Sequence, residues 1–380
     1  MELKKLQKDS NWQERLENVG FGYHTDENNR TYWVEDRYFS ITPKETDNIF
    51  DATNQLWEMC LAAVEHVIEN NRLDEFKIPK FIQPYLIESW ENETPSIYGR
   101  FDFAFDKDKQ LKLLEFNADT PTSLFECGVV QWLWMENYFG ETKDQFNSVH
   151  DKLIETWKML KPYLKGDTLH FTCVRESLED LTNVEYLRDC AIQAGINTKL
   201  IYIDEIGWNN VNFVDLEDET ITDIFKLYPW EWMVNEMFAY NIKNDEVKAN
   251  WIEPAWKMIL SNKAILAFLW ELYPNHPLLL ETYFSEPQQM KDYVKKPLLS
   301  REGANITVVK DGKTTEETSG EYGEEGYIYQ ELAELHKEES GYSIIGSWII
   351  GQESCGITFR ESDQFITTDK SRFVPHIIED

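Results

Sequence analysis

Apolar positions change period along this chain, and each change marks an element. From Thr42 the sequence reads TPKETDNIFDATNQLWEMC, and Ile49, Leu56, Cys60, Val64 and Val67 recur at helical spacing. Thr42 caps this predicted helix, Pro43 fills its first turn and Glu45 closes a capping box; the helix should end near Asn71. Residues 99–120, GRFDFAFDKDKQLKLLEFNADT, switch to period two and predict a hairpin. Apolar helices are expected over 122–139 and 144–162. LHFTCV (169–174), LEDLTNVEYLRDCAIQAG (178–195) and TKLIYI (198–203) then read as strand, helix and strand, a βαβ unit. An acidic loop-rich stretch (204–222) leads to FKLYPWEWMVNEMF, a helical block is expected over 254–272, and the last hundred residues alternate short strands with Gly turns.

The order is therefore α+β. With no repeat and no low-complexity linker, the expectation is one body whose parts cover 1–165, 166–250 and 251–380, the middle one being the βαβ unit.

Composition narrows the function classes. A chain of 380 residues with 42% hydrophobic content folds around a sizeable core. A formal net charge of −32 repels phosphate backbones, so nucleic acid is not an expected partner. Such a field attracts cationic small molecules such as amines, although a solvated acidic surface accounts for it equally well. The five cysteines (60, 127, 173, 190 and 355) are widely spaced and form no CxxC pair, which fits neither a disulfide framework nor a zinc site. The start, MELKKLQKDSNWQERL, lacks the apolar core of a signal peptide, and no apolar run nears the ~18 residues of a membrane span. A cytoplasmic location is the expectation.

The hairpin carries the chemistry. If Asp106 faces Leu111 across a loop of Lys107–Gln110, Asp102 falls opposite Glu115 and Arg100 opposite Asn117. One face then holds Arg, Asp, Glu and Asn, and the other holds Phe101, Phe103, Leu114 and Phe116 as a core face. Opposed carboxylates repel unless a cation lies between them, and Asp, Glu and Asn oxygens are the hard ligands that Mg²⁺ prefers. An Arg–carboxylate ladder on a solvated sheet face is the alternative that spacing alone leaves open.

The segments YGRFDFAF, KLLEFNADTPTSLFE, FKLYPWEWM, SNKAILAFLWELYPNHPLL, VKKPLLSREGANI, YIYQELAEL and GITFRES together resemble the glutathionylspermidine synthase-like family of ATP-grasp ligases, over about residues 10–375. The likeness is to stand-alone acid–amine ligases without the amidase half. It implies a circularly permuted ATP-grasp fold in which the βαβ unit is an inserted preATP-grasp-like subdomain. It implies an amide bond formed between a carboxylic acid and an amine through an acyl phosphate, driven by ATP with two Mg²⁺ ions. Asp102, Glu115 and Asn117 would hold the metal, and Arg100 would stabilise charge in the transition state. Arg100 and Asp102 would also meet the nucleotide, with Lys263, Lys296, Glu302, Gly303 and Arg360 at its phosphates. Gln330, Glu331, Leu332 and Ala333 would meet the adenine. Lys295, next to Lys296 on a strand, would point the other way.

The acid would lie near Thr120 and Thr122, whose hydroxyls otherwise serve as a helix cap. The amine would lie near Glu179 and Asp180, which otherwise suit a helix dipole, with Glu231 as a further contact. A catalytically weak nucleotide-binding regulatory protein would keep the lysines and tolerate loss of the metal face. A carboxylate-pair hydrolase would leave the lysines and the Gly loop without a role.

Overall fold

The computed structural model describes residues 1–26, 28–368 and 370–379. Its longest helix, Pro43–Glu69, starts as expected: the Thr42 side chain accepts from the Glu45 N–H at 3.2 Å and Glu45 accepts from the Thr42 N–H at 2.9 Å. The apolar stripe of this helix, including Ile49, Leu56, Trp57, Cys60 and Val64, is buried in the largest core cluster.

That stripe packs on a six-stranded sheet built from residues 98–117 and 336–374. The hairpin strands Tyr98–Phe105 and Leu111–Asn117 form one side of it. Tyr98–Phe105 pairs antiparallel with Gly341–Ile350, which pairs with Glu353–Ser362 and then Arg372–Val374. Short strand His336–Glu338 adds to Gly341–Ile350. The β-rich tail thus divides. A separate five-stranded antiparallel sheet takes Thr282–Phe284, Tyr327–Glu331, Tyr293–Pro297, Thr307–Lys310 and Lys313–Glu317 in that spatial order. We call these two the central sheet and the lid sheet.

The βαβ unit forms as expected: Thr168–Cys173 and Asn197–Leu200 run parallel, linked by the helix Leu178–Gln193. They extend through Asp223–Leu227 to Asn250–Ile252 into a four-stranded parallel sheet. Two further small sheets complete the fold, Glu2–Lys5 with Arg37–Ile41 and His376–Ile378, and Gly207–Trp208 with Phe213–Val214. The helix expected over 144–162 begins later, at Val149, because Gln145 to Ser148 are spent on contacts with Cys355 and Ile357 of the central sheet and with His376 of the chain's last strand.

The hairpin register needs a correction. Phe105, not Asp106, faces Leu111, so the loop is one residue longer than the period-two pairing assumed. A β-bulge at Leu114 then restores the pairing: Phe103 faces Leu113, while Asp102 faces Glu115 and Arg100 faces Asn117. The bulge also changes the core face. Leu113 joins Phe101, Phe103 and Phe116 in the main core, and Leu114 turns to a small cluster with Ala104 and Ile344.

Candidate active site

The polar face of the hairpin is an ion-pair network that is buried, not a ladder on a solvated surface. Arg100 is 5% exposed and Asp102 1%. Arg100 Nε donates to Asp102 Oδ1 at 2.8 Å and Nη2 to Oδ2 at 3.1 Å, a bidentate pair. The remaining Nη1 donates to the Thr122 carbonyl at 2.6 Å. Arg360, two strands away, adds Nη2 to Asp102 Oδ2 at 2.5 Å, and Asn117 Nδ2 donates to the same oxygen at 3.0 Å. The backbone makes room for this packing at Gly346, which pairs with Asp102: a Cβ there would lie 2.9 Å from Arg100 Cδ and 2.5 Å from Thr358 Oγ1.

Glu115 occupies the hinge of the arrangement. Its Oε2 pairs with Lys263 Nζ at 3.0 Å, and Asn117 Nδ2 lies 3.4 Å from its Oε1. Burial alone would push this carboxyl up, but the Lys263 and Lys296 cations hold it well below the usual carboxylate range. Lys296 comes from the lid sheet, where Lys295 turns to the other face and lies 3.9 Å over the Tyr327 ring. Lys296 Nζ donates to the Leu114 carbonyl at 2.9 Å and to Gln330 Oε1 at 2.6 Å. Gln330 Nε2 in turn reaches the Leu113 carbonyl at 3.2 Å. The bulge missed from sequence therefore supplies the two carbonyls that dock the lid sheet on the hairpin. Burial lowers the Lys296 ammonium to about 8, against the pull of Glu115.

Two clefts meet at this point. One lies between the central and lid sheets; Asp102, Glu115, Lys263, Lys296, Gln330 and Glu331 are its polar lining and Val294, Ile306, Ala333, Leu335, Ile344 and Ile366 its apolar lining. An apolar slot that also holds two lysines suits a purine with a phosphate chain. The other is polar and reaches the βαβ unit; Arg100, Asn117, Thr120, Thr122, Glu179, Asp180, Glu302 and Arg360 border it. Glu115 and Gly303 border both. Gly303 has φ +71°, and a Cβ there would sit 2.6 Å from the Thr367 carbonyl, so the REGAN loop closes on this junction only with glycine.

Some expected residues sit differently. Leu332 is not in the slot lining but packs against the cluster of Val294, Ile306, Val308 and Ile366, and its N–H is taken by the Asp292 carbonyl at 3.2 Å, while the Glu331 N–H is taken by the Glu281 carbonyl at 2.7 Å. Glu231 holds Arg301 instead of bordering the polar cleft: Arg301 Nε donates to it at 2.8 Å, and Arg301 Nη1 donates to Thr120 Oγ1 at 2.8 Å. Arg301 was not singled out from sequence; its place at the head of REGAN was the available signal. The helix that follows Ser123 is capped by Asn183 of the βαβ helix, whose Oδ1 accepts from the Leu124 N–H at 3.0 Å. The Thr120 and Thr122 hydroxyls are therefore not spent as caps. Asp180 borders the cleft while its N–H donates to Ser177 Oγ at 3.1 Å, and burial with the neighbouring Glu179 raises its carboxyl to about 6.

The donor set fits a hard divalent cation only in part on its own. Among the described residues no three His, Cys, Asp or Glu side chains converge as a closed metal cage. Two carboxylates converge on the Asn117 amide, which here donates its Nδ2 to both; a half-turn of that amide would present its oxygen and give the incomplete oxygen set that Mg²⁺ takes when phosphates complete its shell.

Comparisons with known proteins give the family of the chain. The family described as "Glutathionylspermidine synthase preATP-grasp" matches residues 3–379. A Haemophilus influenzae protein named "Putative acid--amine ligase" is 42% identical over 379 residues, covering 96% of this chain and 95% of its own. Trypanothione synthetase of Crithidia fasciculata is 32% identical over 351 residues, covering 84% of this chain and 53% of its own, so the chain spans about half of that relative. Among solved structures, a glutathione synthetase-like effector of Globodera pallida shares the fold at TM-score 0.57 and 11% identity, over 90% of this chain and 89% of that one.

Proposed function

The chain belongs to the glutathionylspermidine synthase preATP-grasp family, and from that premise we propose that it is an ATP-dependent ligase joining a carboxylic acid to an amine through an acyl phosphate. The observation that carries the reading is the junction of the two clefts at Glu115, with cations from three separate segments converging on it. The permuted chain order, with the metal face preceding the lysines and the βαβ unit inserted between them, belongs to the same reading.

Each residue then has a task. Lys263 and Lys296 receive the triphosphate as point charges, and Gln330, Glu331 and Ala333 line the slot for the base. Asp102, Glu115 and Asn117 would hold the Mg²⁺ ions, which would offset charge on the phosphate oxygens. The substrate carboxylate enters by the polar cleft, past Thr120 and Thr122, and its oxygen attacks the terminal phosphorus as ADP leaves. Arg100 and Arg360 lie where negative charge grows, first on the phosphoryl oxygens and then on the tetrahedral carbon's oxygen. Glu302 and Gly303 cover the phosphates. Glu179 and Asp180 hold a cationic amine at the far wall, from which its nitrogen attacks the acyl carbon and phosphate leaves.

The test is ADP formation across a panel of carboxylic acids and amines, with hydroxylamine as a trap for the acyl phosphate. The expected result is acid-dependent ADP release and hydroxamate. ATP binding with no turnover for any pair would instead identify a regulatory nucleotide-binding protein.

A further inference from the structure

Glu126 is the buried carboxyl that this scheme leaves unused. It is fully buried and opens a π-helical turn, Glu126–Val130, just after the TPTS segment that borders the polar cleft. Several other buried carboxylates have cations: Asp102 has Arg100 and Arg360, Asp119 has Lys226, Glu253 has Lys257 and Glu361 has Arg372. Asp223 and Asp245, which have none among the described residues, accept from backbone N–H groups instead. Among the described residues Glu126 has no cation. Its Oε1 accepts from the Tyr32 hydroxyl at 2.6 Å, and its Oε2 forms no hydrogen bond. An ionised carboxylate held this way is costly, whereas one that exchanges a proton is not.

The route out of this pocket leads to the reaction. Tyr32 borders the polar cleft together with Arg100, Asn117 and Arg360, and its hydroxyl also lies 3.3 Å from Ser123 Oγ. We propose that Tyr32 and Glu126 form a proton relay that deprotonates the attacking amine. This rests on the ligase reading above. An ammonium group cannot attack, so its nitrogen must shed one proton before the C–N bond forms. In the relay that proton passes to the Tyr32 oxygen as the Tyr32 proton passes to Glu126. The nitrogen lone pair then forms the bond to the acyl carbon, the C–O bond to phosphate breaks, and phosphate takes that electron pair. The second nitrogen proton leaves with phosphate.

The surroundings tune the carboxyl for this task. Burial and then the Glu179 charge push it up to about 8, with Tyr32 opposing and Tyr23, whose hydroxyl is buried and unpartnered, beside it. Burial and then the neighbouring Cys355 and Glu126 raise the Cys127 thiol, next in the chain. A base acts best when its pKa lies near the working pH.

Two measurements test the relay. Infrared difference spectra of the wild-type chain should show a carboxylic C=O band that vanishes as pH rises through about 8 and that Glu126→Gln lacks. A wild type with no such band overturns the proposal. In the second, glutathione, dipeptides and single amino acids serve as acids, with spermidine or hydroxylamine as the nucleophile. Hydroxylamine is uncharged at neutral pH and needs no base. Glu126→Gln and Tyr32→Phe should each lower the spermidine rate about a hundredfold relative to the same variant's hydroxylamine rate, within the usual range for a general base. Equal losses with both nucleophiles would mean a structural role and overturn the relay alone. A wild type forming no hydroxamate with any acid would overturn the ligase reading and the relay with it.

Discussion

Two ionic regions lie within one stretch of sequence and behave oppositely. At the hairpin face, Asp102 binds Arg100 and Arg360, Glu115 binds Lys263, and the group opens on two clefts. Just past the hairpin, Asp119 and Lys226 pair at 2.7 Å, both fully buried. There every oxygen is used: Asp119 Oδ2 accepts from the Trp230 N–H at 2.8 Å, and Lys226 also donates to the Tyr228 carbonyl at 3.0 Å. A similar sealed pair, Glu253 and Lys257 at 2.9 Å, accepts from the Ile97 and Tyr98 N–H groups and so anchors the start of the hairpin. Closed pairs hold the frame, tying the hairpin to the parallel sheet. The open network can trade its partners for a ligand.

The largest expected effect falls on the open network. Asp102→Asn keeps the side-chain shape but removes the charge and turns one acceptor into a donor facing an arginine, and ADP formation should fall about 10³-fold, the scale of losing charge stabilisation in a transition state. Arg100 and Arg360 border the polar cleft, where water can reach them, so the loss of unfolding free energy should be smaller than for a sealed pair. Next, Lys226→Met should cost about 3–5 kcal/mol in denaturant unfolding, because Asp119 is left buried and unpaired. Replacing both partners with apolar residues should recover much of that loss. Either region behaving like the other would dissolve the distinction.

A third prediction uses Lys296. Its folded pKa, about 8, lies below the ordinary 10.5. The unfolded chain therefore binds the extra proton between these values, so this lysine lowers stability below about 8 and the penalty disappears as pH rises toward 10.5. Nucleotide binding runs the other way, since phosphates want the charged form. ATP affinity should weaken by up to about tenfold per pH unit above 8, and Lys296→Arg, which stays charged, should flatten the profile. The smallest effect concerns Asp180, whose carboxyl burial raises to about 6. Spermidine binding should tighten a few-fold as pH rises through that value, and Asp180→Asn should remove the change; equilibrium titration reads both.

The hairpin face was legible because period two in one stretch already sorts Arg100, Asp102, Glu115 and Asn117 from the phenylalanines. The helix at Pro43 was legible for a similar reason, its cap lying within four residues. What escaped was non-local. The bulge at Leu114 exists where Lys296 and Gln330 dock from the lid sheet, well over a hundred residues away. The cap on Leu124 comes from Asn183. The TPTS hydroxyls therefore had two readings in sequence and lost one when the βαβ helix came into place. The tail likewise read as uniform strands, although its members divide between two sheets according to partners that no local pattern reveals.

The most direct measurement is calorimetric titration of ATP into the wild-type chain and into Glu115→Gln, with and without Mg²⁺. Glu115 is the one side chain common to the hairpin face, a lysine pair and both clefts. Saturable binding that needs Mg²⁺ and is lost in the variant is the expected result. Binding that ignores both the cation and the substitution would contradict a nucleotide presented by this face.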